Sequence, residues 1–136
     1  QFHKGIPVNS TKLLRERAFG PYEGQSSKTC DWENLPTEVE TMESVKGRAT
    51  EALQTILKNC VGKTVLIVSH GGFCSRMISV IMKKPFEEIC TTWPRNAGLS
   101  LFELKDNGLF SLVYLDCIKH VENLQSDYSL NWVPKN

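Results

Sequence analysis

The sequence has almost no net charge and no long apolar run. Its 16 Lys and Arg residues nearly balance its 15 Asp and Glu residues, which leaves a formal net charge of +1. A surface so close to neutral provides no electrostatic attraction for nucleic acid or for an anionic membrane. No stretch approaches the roughly 20 apolar residues that span a bilayer, and residues 1–12 lack the apolar core of a signal peptide. We therefore predict a protein that binds neither nucleic acid nor membrane.

The sequence also lacks the Cys–Cys and His–His pairs of common zinc sites. None of its five cysteines forms a CxxC pair, and its three histidines lie at least 50 residues from one another. Zinc sites usually draw such pairs from the sequence, so we predict neither a metal nor another cofactor. Cys60, Cys74 and Cys117 lie in or beside apolar stretches. Together with the odd cysteine count, this favours buried free thiols over disulfides, and a cytoplasmic protein.

The middle of the chain carries a helical pattern followed by a strand pattern. From Met42 to Leu57, apolar residues recur at steps of three and four, which predicts an amphipathic helix. Thr41 is its predicted N-cap, and Gly62 is the predicted left-handed residue that closes it. The run from Thr64 to Val68 is apolar without polar alternation. Such a run is typical of a strand that is buried on both faces in a parallel sheet.

The flanking segments complete an α/β pattern. Phe73 to Lys83 predicts a second helix, and Leu99 to Leu104 and Phe110 to Leu115 predict two strands joined by a hairpin-like turn over 105–108. Gln25 to Glu38 is polar and interrupted by turn residues, so we expect a loop. This order indicates an α/β layered domain. The 136 residues are enough for one domain with its own core.

The predicted strand over 64–68 leads directly into Ser69, His70, Gly71 and Gly72. Ligands of α/β sheets bind beyond the carboxyl ends of the strands. Two glycines let the backbone approach a ligand closely, and the helix that follows offers unpaired N–H groups and a positive dipole end to an anion. A histidine at this corner can donate hydrogen bonds to a phosphate. The segment therefore indicates a phosphate site, unless His70 is a buried core histidine.

Two other enzyme classes are disfavoured by the neighbouring residues. The nucleophile elbow of serine hydrolases requires G-x-S-x-G, but Ile67 stands where the first glycine belongs. A cysteine phosphatase needs a phosphate-cradling loop between its cysteine and its arginine. Here Arg76 follows Cys74 by only two residues, which leaves no room for that loop.

A second informative segment surrounds Glu16. This carboxylate lies between Arg15 and Arg17, and Phe19 and the residues up to Gly24 follow it. The segment is either an ordinary charged turn or a loop that holds a carboxyl group near an anionic substrate. A carboxyl group close to an anion keeps its proton more readily and can then act as a proton donor.

Together these segments resemble the histidine phosphatase superfamily, which has the phosphoglycerate-mutase-like fold. The pattern L-x-E-x-x-[FY]-G-x-x-E-G is matched from Leu14 to Gly24, and a β-branched strand followed by S-H-G is matched from Val65 to Gly71. Between them, G-E-[ST]-[LM]-x-x-V-x-x-R is matched from Glu40 to Arg48, with Val39 in place of the usual glycine. Pro94 to Leu101 is similar to the segment that leads into the family's next strand. The four blocks cover nearly the whole chain.

The resemblance implies a fold and a set of site residues. The fold is a three-layer α/β/α domain with a mostly parallel sheet. In this family, a histidine of an R-H-G motif attacks phosphorus and forms a phosphohistidine. The position that matches Glu16 protonates the leaving alcohol, and the position that matches His70 binds the phosphoryl group with the Gly71 backbone nearby. Arg17 and Phe19 would contact the substrate, a phosphorylated small molecule.

The sequence contains no R-H-G. The resemblance thus implies that residues 1–136 are the C-terminal part of one histidine phosphatase domain, incomplete at its N-terminus, with the nucleophile outside this chain. The missing strand would leave an unpaired sheet edge. The alternative is a catalytically dead, phosphatase-like binding domain.

For a complete domain, the short segment from Gln25 to Glu38 favours phosphomonoester hydrolysis. The mutases of the family carry out phosphoryl transfer instead, and they insert a longer lid at this place. Leu14 to Arg17 and Asn96 to Phe102 are also similar to the fructose-2,6-bisphosphatase branch of the family.

Overall fold

The computed structural model describes residues 5–89 and 94–124. Its regular elements, in chain order, are helix α1 (Met42–Asn59), helix α2 (Gly71–Met82), the short helix α3 (Phe86–Ile89), strand β1 (Leu99–Leu104) and strand β2 (Phe110–Cys117). Four short 3₁₀ turns lie outside these elements, at Lys12–Leu14, Gly20–Tyr22, Ser27–Thr29 and Lys119–Leu124.

Helix α1 forms as its pattern predicts. The Thr41 hydroxyl accepts the backbone N–H of Ser44 at 3.1 Å, which caps the first turn. The buried face carries Val45, Ala49 and Ala52. The helix ends at Asn59, and Gly62 follows with a φ of +70°, the left-handed conformation expected of it.

Helix α2 supplies the other half of the core. Phe73 is fully buried and packs with Met77 against the buried face of α1. Burying a side chain of this size contributes roughly 2–3 kcal/mol to the free energy of folding. The helix begins at Gly71, two residues before the predicted start at Phe73. Gly71 and Gly72 therefore belong to its first turn, where their N–H groups have no partner within the helix.

The segment over 64–68 corrects the sequence prediction. It has no strand pairing within the described residues, and Leu66 and Val68 are 75% and 78% exposed. Only Ile67 packs against the core formed by α1 and α2. The predicted burial on both faces is therefore wrong for this chain. The physical reason is that burial requires neighbouring strands and a second covering layer, and the described residues provide neither.

The predicted hairpin is confirmed. Strands β1 and β2 pair antiparallel, with Phe102 opposite Leu112 and Leu104 opposite Phe110. The turn closes when the backbone N–H of Gly108, at a φ of +76°, donates to the carbonyl oxygen of Lys105 at 2.9 Å. This hairpin is the sheet of the described residues. The α/β class agrees with the structure, whereas the three layers and the mostly parallel sheet stay predictions.

The described cysteines and helices add three findings. Cys30, Cys60, Cys74 and Cys117 are free thiols, and they are half-buried rather than fully buried. Within residues 5–89 and 94–124, no group of three His, Cys, Asp or Glu side chains is arranged to hold a metal ion. In the same ranges, no helix is both long enough and apolar enough to cross a membrane.

Candidate functional site

The carboxylate of Glu16 lies on the N-terminus of α2. Its two oxygens accept the backbone N–H groups of Gly72 at 3.1 Å and of Phe73 at 3.0 Å. One of them also accepts the N–H of Arg17 at 2.8 Å. The loop and the helix are thus joined by a negative group at the positive end of a helix, which is a favourable arrangement. Glu16 and His70 come together at this point because His70 is the residue that directly precedes the helix.

Gly72 leaves the space that this contact needs. A Cβ atom at this position would lie 2.7 Å from Glu16 Oε1, closer than atoms of folded proteins pack. A Cβ at Gly71 would meet only the carbonyl oxygen of Pro94, at an ordinary 3.8 Å. The second glycine of the pair therefore admits the carboxylate, while the first one faces the 94–98 segment.

His70 is exposed and is the N-cap residue of α2. Its carbonyl oxygen accepts the N–H of Cys74 at 2.8 Å, which is the first hydrogen bond of the helix. Its imidazole makes no hydrogen bond to any residue of the described ranges. The interpretation of His70 as a buried core histidine is therefore wrong. The side chain is available to a ligand at the helix N-terminus.

Cys74 follows four residues after His70, on the first turns of α2. Its burial raises the pKa of the thiol, and the negative charge of Glu16 raises it further. A thiol of this kind stays protonated and is a weak nucleophile. This agrees with the view that Cys74 is not the nucleophile of a cysteine phosphatase.

Arg48 and Glu40 hold the Glu16 loop in place. The Nε and Nη2 atoms of Arg48 donate to the two carboxylate oxygens of Glu40 at 2.7 and 2.8 Å, a bidentate pair. Arg48 Nη1 donates to the carbonyl oxygens of Leu13 at 2.6 Å and Arg15 at 3.1 Å. The guanidinium lies 5.2 Å from the centre of the Phe73 ring. One side chain of α1 therefore ties the loop to α2.

The hydrogen bonds of Arg48 lower the pKa of Glu40 from 4.5 to about 2. The backbone N–H of Ala18 contributes to this shift by donating to the same carboxylate at 3.1 Å. Glu40 and Arg48 appear in the third sequence block, but the sequence assigns them no role. Their spacing is the signal that could have been used, because Glu40 lies just before the N-cap of α1 and Arg48 two turns into it.

Arg17 and Phe19 form one wall of the site. Arg17 Nε donates to the carbonyl oxygen of Glu40 at 2.6 Å, and its guanidinium lies 5.5 Å from the Phe19 ring centre. Burial lowers the pKa of Arg17, and the nearby charge of Arg76 lowers it further, whereas Glu40 and Glu16 act in the opposite direction. Its Nη2 atom is buried and has no hydrogen-bond partner among the described residues. Such an unpaired donor costs free energy.

An aromatic cluster extends this wall into the 25–38 loop. The Trp32 ring meets Phe19 and Tyr22 edge-on, with ring centres 6.2 and 5.6 Å apart. The Tyr22 hydroxyl donates to the carbonyl oxygen of Asp31 at 2.9 Å. The segment contains no α-helix or strand, as expected, but its shape is held by these contacts and by the 3₁₀ turn at Ser27–Thr29.

A second ion pair, which the sequence does not predict, positions the 94–98 segment. Arg95 donates through Nε and its backbone N–H to the carboxylate of Asp116 at 2.7 and 2.9 Å. Asp116 is buried and has a φ of +48°, in the left-handed region that Asp adopts more readily than most residues other than glycine. Gly98 leaves room for its carboxylate, since a Cβ there would collide with Asp116 Oδ1. The pair fastens the segment that faces Gly71 to the end of β2.

These elements enclose a cavity of about 440 Å³. Its lining includes four of the five predicted site residues: Glu16, Arg17, Phe19 and Gly71. The fifth, His70, is the neighbour of Gly71 but is not part of the lining. A cavity of about 550 Å³ at the other end of α2, lined by Arg76 and Lys83 among others, contains none of the predicted residues.

Two solved structures share this fold. YhfR from Bacillus stearothermophilus superimposes with a TM-score of 0.76 at 25% sequence identity, and the match covers 88% of this chain and 66% of that one. A mutant phosphoserine phosphatase from Entamoeba histolytica, in complex with phosphoserine, gives a TM-score of 0.71 at 18% identity over 86% of this chain and 66% of that one. This chain thus spans slightly less than two thirds of the length of either neighbour.

The sequence comparisons are consistent with this result. No protein with a curated description is matched by the chain. The family model of the histidine phosphatase superfamily (branch 1) matches residues 1–117, a range that contains Glu16, the α1–α2 core, the Ser69–Gly72 corner and the hairpin. The chain belongs to the histidine phosphatase superfamily.

Proposed function

We propose that this chain carries the proton donor and one phosphate ligand of a phosphomonoester hydrolase, which acts through a phosphohistidine whose nucleophile lies outside the chain. The observation that supports this most directly is the contact of the Glu16 carboxylate with the N–H groups of Gly72 and Phe73, at 3.1 and 3.0 Å. Through this contact Glu16, the predicted proton donor, lies at the N-terminus of helix α2, of which His70 is the N-cap residue. A carboxyl group and an imidazole beside a helix N-terminus suit the transfer of a phosphoryl group.

In the first step of the proposed reaction, the nucleophilic histidine forms a bond to phosphorus while the bond from phosphorus to the ester oxygen breaks. Glu16 gives its proton to that oxygen, so that the alcohol leaves uncharged. In the second step, water attacks phosphorus, its proton passes to the Glu16 carboxylate, and the bond from phosphorus to the histidine nitrogen breaks. Inorganic phosphate is released and both side chains return to their starting states.

His70 and the N-terminus of α2 would stabilise the transferring group. The exposed imidazole can donate a hydrogen bond to a phosphoryl oxygen, and the helix dipole favours negative charge at the same place. Glu16 Oε1 accepts the N–H groups of Arg17 and Phe73, whereas Oε2 accepts only that of Gly72. A protonated Oε2 can therefore keep the Gly72 contact through a lone pair while its O–H donates to the ester oxygen. Arg17, Phe19 and the Gly71 backbone would contact the substrate from the cavity wall.

The same proposal includes the fold of the complete domain. Residues 1–136 would form the C-terminal part of a three-layer domain, in which the segment over 64–68 becomes a strand of a mostly parallel sheet. The exposure of Leu66 and Val68, at 75% and 78%, supports this, because apolar side chains in a strand-forming sequence are available for further strands and a covering layer. The substrate would be a phosphorylated small molecule and the location cytoplasmic.

Two alternatives belong to the same site. Phosphoglycerate-mutase-type phosphoryl transfer would need a lid that excludes water, and the compact 25–38 loop, held by Trp32, argues for hydrolysis. A catalytically dead binding domain would keep the cavity without turnover. The discriminating observation is the sequence of the natural polypeptide upstream of Gln1, because an R-H-G followed by a second arginine about fifty residues later would favour the enzyme.

Phosphohistidine detection tests the proposal directly. The natural polypeptide that contains residues 1–136 is incubated with a phosphomonoester labelled at phosphorus, quenched in alkali and analysed for acid-labile phosphate on histidine. We expect a labelled protein and the release of inorganic phosphate. Residues 1–136 by themselves serve as the control and should stay unlabelled. Absence of label and of phosphate release from the natural polypeptide would leave the binding domain as the better interpretation.

A further inference from the structure

The cavity beside Glu16 contains a second group of polar side chains, which the proposed reaction does not use. Gln25 and Ser27 come from the 25–38 loop, and Asn96 comes from the 94–98 segment. The amide nitrogen of Gln25 donates to the carbonyl oxygen of Pro21 at 2.7 Å, which leaves its amide oxygen as an acceptor. The Ser27 hydroxyl and the Asn96 carboxamide make no hydrogen bond to any described residue. These groups are therefore available to a ligand.

The charge of the cavity restricts what that ligand can be. Glu16 and Arg17, of opposite sign, are the only charged residues in the described lining. Arg17 is already engaged through Nε with the backbone of Glu40 at 2.6 Å, and its Nη2 atom is buried. A carboxylate in the cavity would find no lysine in the described lining to pair with, and it would be repelled by Glu16 once proton transfer leaves that side chain ionised. An apolar group would leave Ser27 and Asn96 without partners once water is displaced.

Trp32 gives these polar groups a defined position. Its indole N–H donates to the carbonyl oxygen of Ser27 at 2.8 Å. Its ring packs edge-on against Phe19 and Tyr22, and Phe19 is itself part of the cavity wall. A loop held in this way presents Gln25 and Ser27 in a preformed arrangement, which reduces the entropy lost when a ligand binds.

We propose that Gln25, Ser27 and Asn96 bind the alcohol portion of the phosphomonoester, and that this alcohol is uncharged and carries hydroxyl groups. In the same proposal, Trp32 is a positioning residue that acts through Ser27 and Phe19. The proposal rests on the proposed function and adds to it the chemical class of the leaving group. Hydroxyl groups fit because each can donate to the Gln25 and Asn96 oxygens and accept from Ser27 and the Asn96 nitrogen.

The first test compares three esters on the natural polypeptide that contains residues 1–136. Glycerol 1-phosphate has a neutral hydroxylated alcohol, phosphoserine a charged one and butyl phosphate an apolar one. We expect kcat/KM for glycerol 1-phosphate to exceed that for each of the others by about tenfold, the effect of one or two neutral hydrogen bonds. Equal rates, or a preference for phosphoserine or butyl phosphate, would overturn the proposal.

Variants of the polar side chains sharpen this comparison. Ser27→Ala and Asn96→Leu should each lower kcat/KM for glycerol 1-phosphate by about threefold to tenfold through KM, and leave butyl phosphate unchanged. Trp32→Phe keeps an aromatic ring but removes the donor to Ser27. We therefore expect it, too, to lower kcat/KM for glycerol 1-phosphate relative to kcat/KM for butyl phosphate. Asn59→Ala, at the exposed end of α1, is the control. Equal losses on both esters would mean that the residues are only structural.

A second measurement separates this inference from the proposed function. If the natural polypeptide hydrolyses none of the three esters and forms no phosphohistidine, the proposed function fails, and the same polypeptide is then titrated with glycerol 1-phosphate and butyl phosphate by nuclear magnetic resonance. The side-chain amide signals of Gln25 and Asn96 should shift with glycerol 1-phosphate and not with butyl phosphate. Absence of that difference would overturn the binding proposal by itself.

Discussion

Arg48 holds Glu40 with two hydrogen bonds of 2.7 and 2.8 Å, and both side chains are largely buried, at 13% and 7% exposure. This pair lies between helix α1 and the loop that carries Glu16. It connects the folding of the core to the position of the candidate proton donor, because the same guanidinium also donates to the carbonyl oxygens of Leu13 and Arg15.

Arg48→Met should destabilise the chain strongly. The substitution leaves the Glu40 carboxylate buried without its partner, a change that typically costs about 3–5 kcal/mol of the free energy of unfolding. Lys46→Met is the matched control on the same helix, since its pair with Glu43 is exposed and 3.9 Å long and should contribute at most about 1 kcal/mol. Urea denaturation measures both. Similar losses for the two variants would contradict a special role for Arg48.

The pH dependence of stability should show the lowered pKa of Glu40. The carboxyl has a pKa of about 2 in the folded chain against an ordinary 4.5, so its stabilisation is complete above 4.5 and disappears as the pH falls towards 2. The difference corresponds to about 3 kcal/mol, as an order of magnitude. Glu40→Gln should flatten this part of the curve of unfolding free energy against pH. If the Glu40→Gln variant loses unfolding free energy between pH 4.5 and 2 as steeply as the parent chain, the lowered pKa of Glu40 is not the cause of that loss.

Glu16→Gln should slow departure of the leaving group rather than binding. An amide cannot donate the proton in the proposed first step, so kcat for an alkyl phosphate should fall by about 10²-fold or more, with KM little changed. An aryl ester such as p-nitrophenyl phosphate needs no proton on its leaving oxygen and should lose much less. Steady-state kinetics on the natural polypeptide compares the two. Equal losses on both esters would remove Glu16 from the acid role.

His70→Ala should reduce activity without loss of stability. The exposed imidazole has no hydrogen-bond partner among the described residues, so thermal unfolding should shift little, whereas kcat/KM should fall by roughly 10²-fold as a preorganised donor is lost. His120→Ala, another exposed histidine, is the control and should leave both quantities unchanged. An active His70→Ala enzyme would exclude the imidazole as a phosphate ligand.

Hydrolysis by the natural polypeptide should be insensitive to chelation. The proposed steps use a histidine nucleophile, Glu16 and backbone N–H groups, and none of them requires a metal ion. Rates of phosphate release are measured before and after prolonged treatment with EDTA, and again after Mg²⁺ or Zn²⁺ is added back. Loss of activity on chelation, restored by either ion, would show that the proposed reaction is incomplete.

The sequence pattern correctly predicted the elements that are stabilised by interactions between residues close together in the chain. Helix α1 follows from its apolar spacing and from Thr41, which caps it, and the hairpin follows from two strand patterns around Gly108. The motifs around Glu16 and His70 likewise predicted the family, because they lie in short continuous segments. In each case the residues that decide the outcome are close together in the chain.

Tertiary structure decided what depends on distant residues. The contact of Glu16 with Gly72 joins positions 56 apart, and the pair of Arg95 with Asp116 joins positions 21 apart. The composition of neither segment specifies its partner. The segment over 64–68 also shows this dependence. Its apolar residues predict a buried strand, but Leu66 and Val68 are exposed because burial requires neighbouring elements that cover them. The sequence by itself determined the family and supplied the candidate residues, and only packing across the chain decided which of them meet, because those contacts join distant positions.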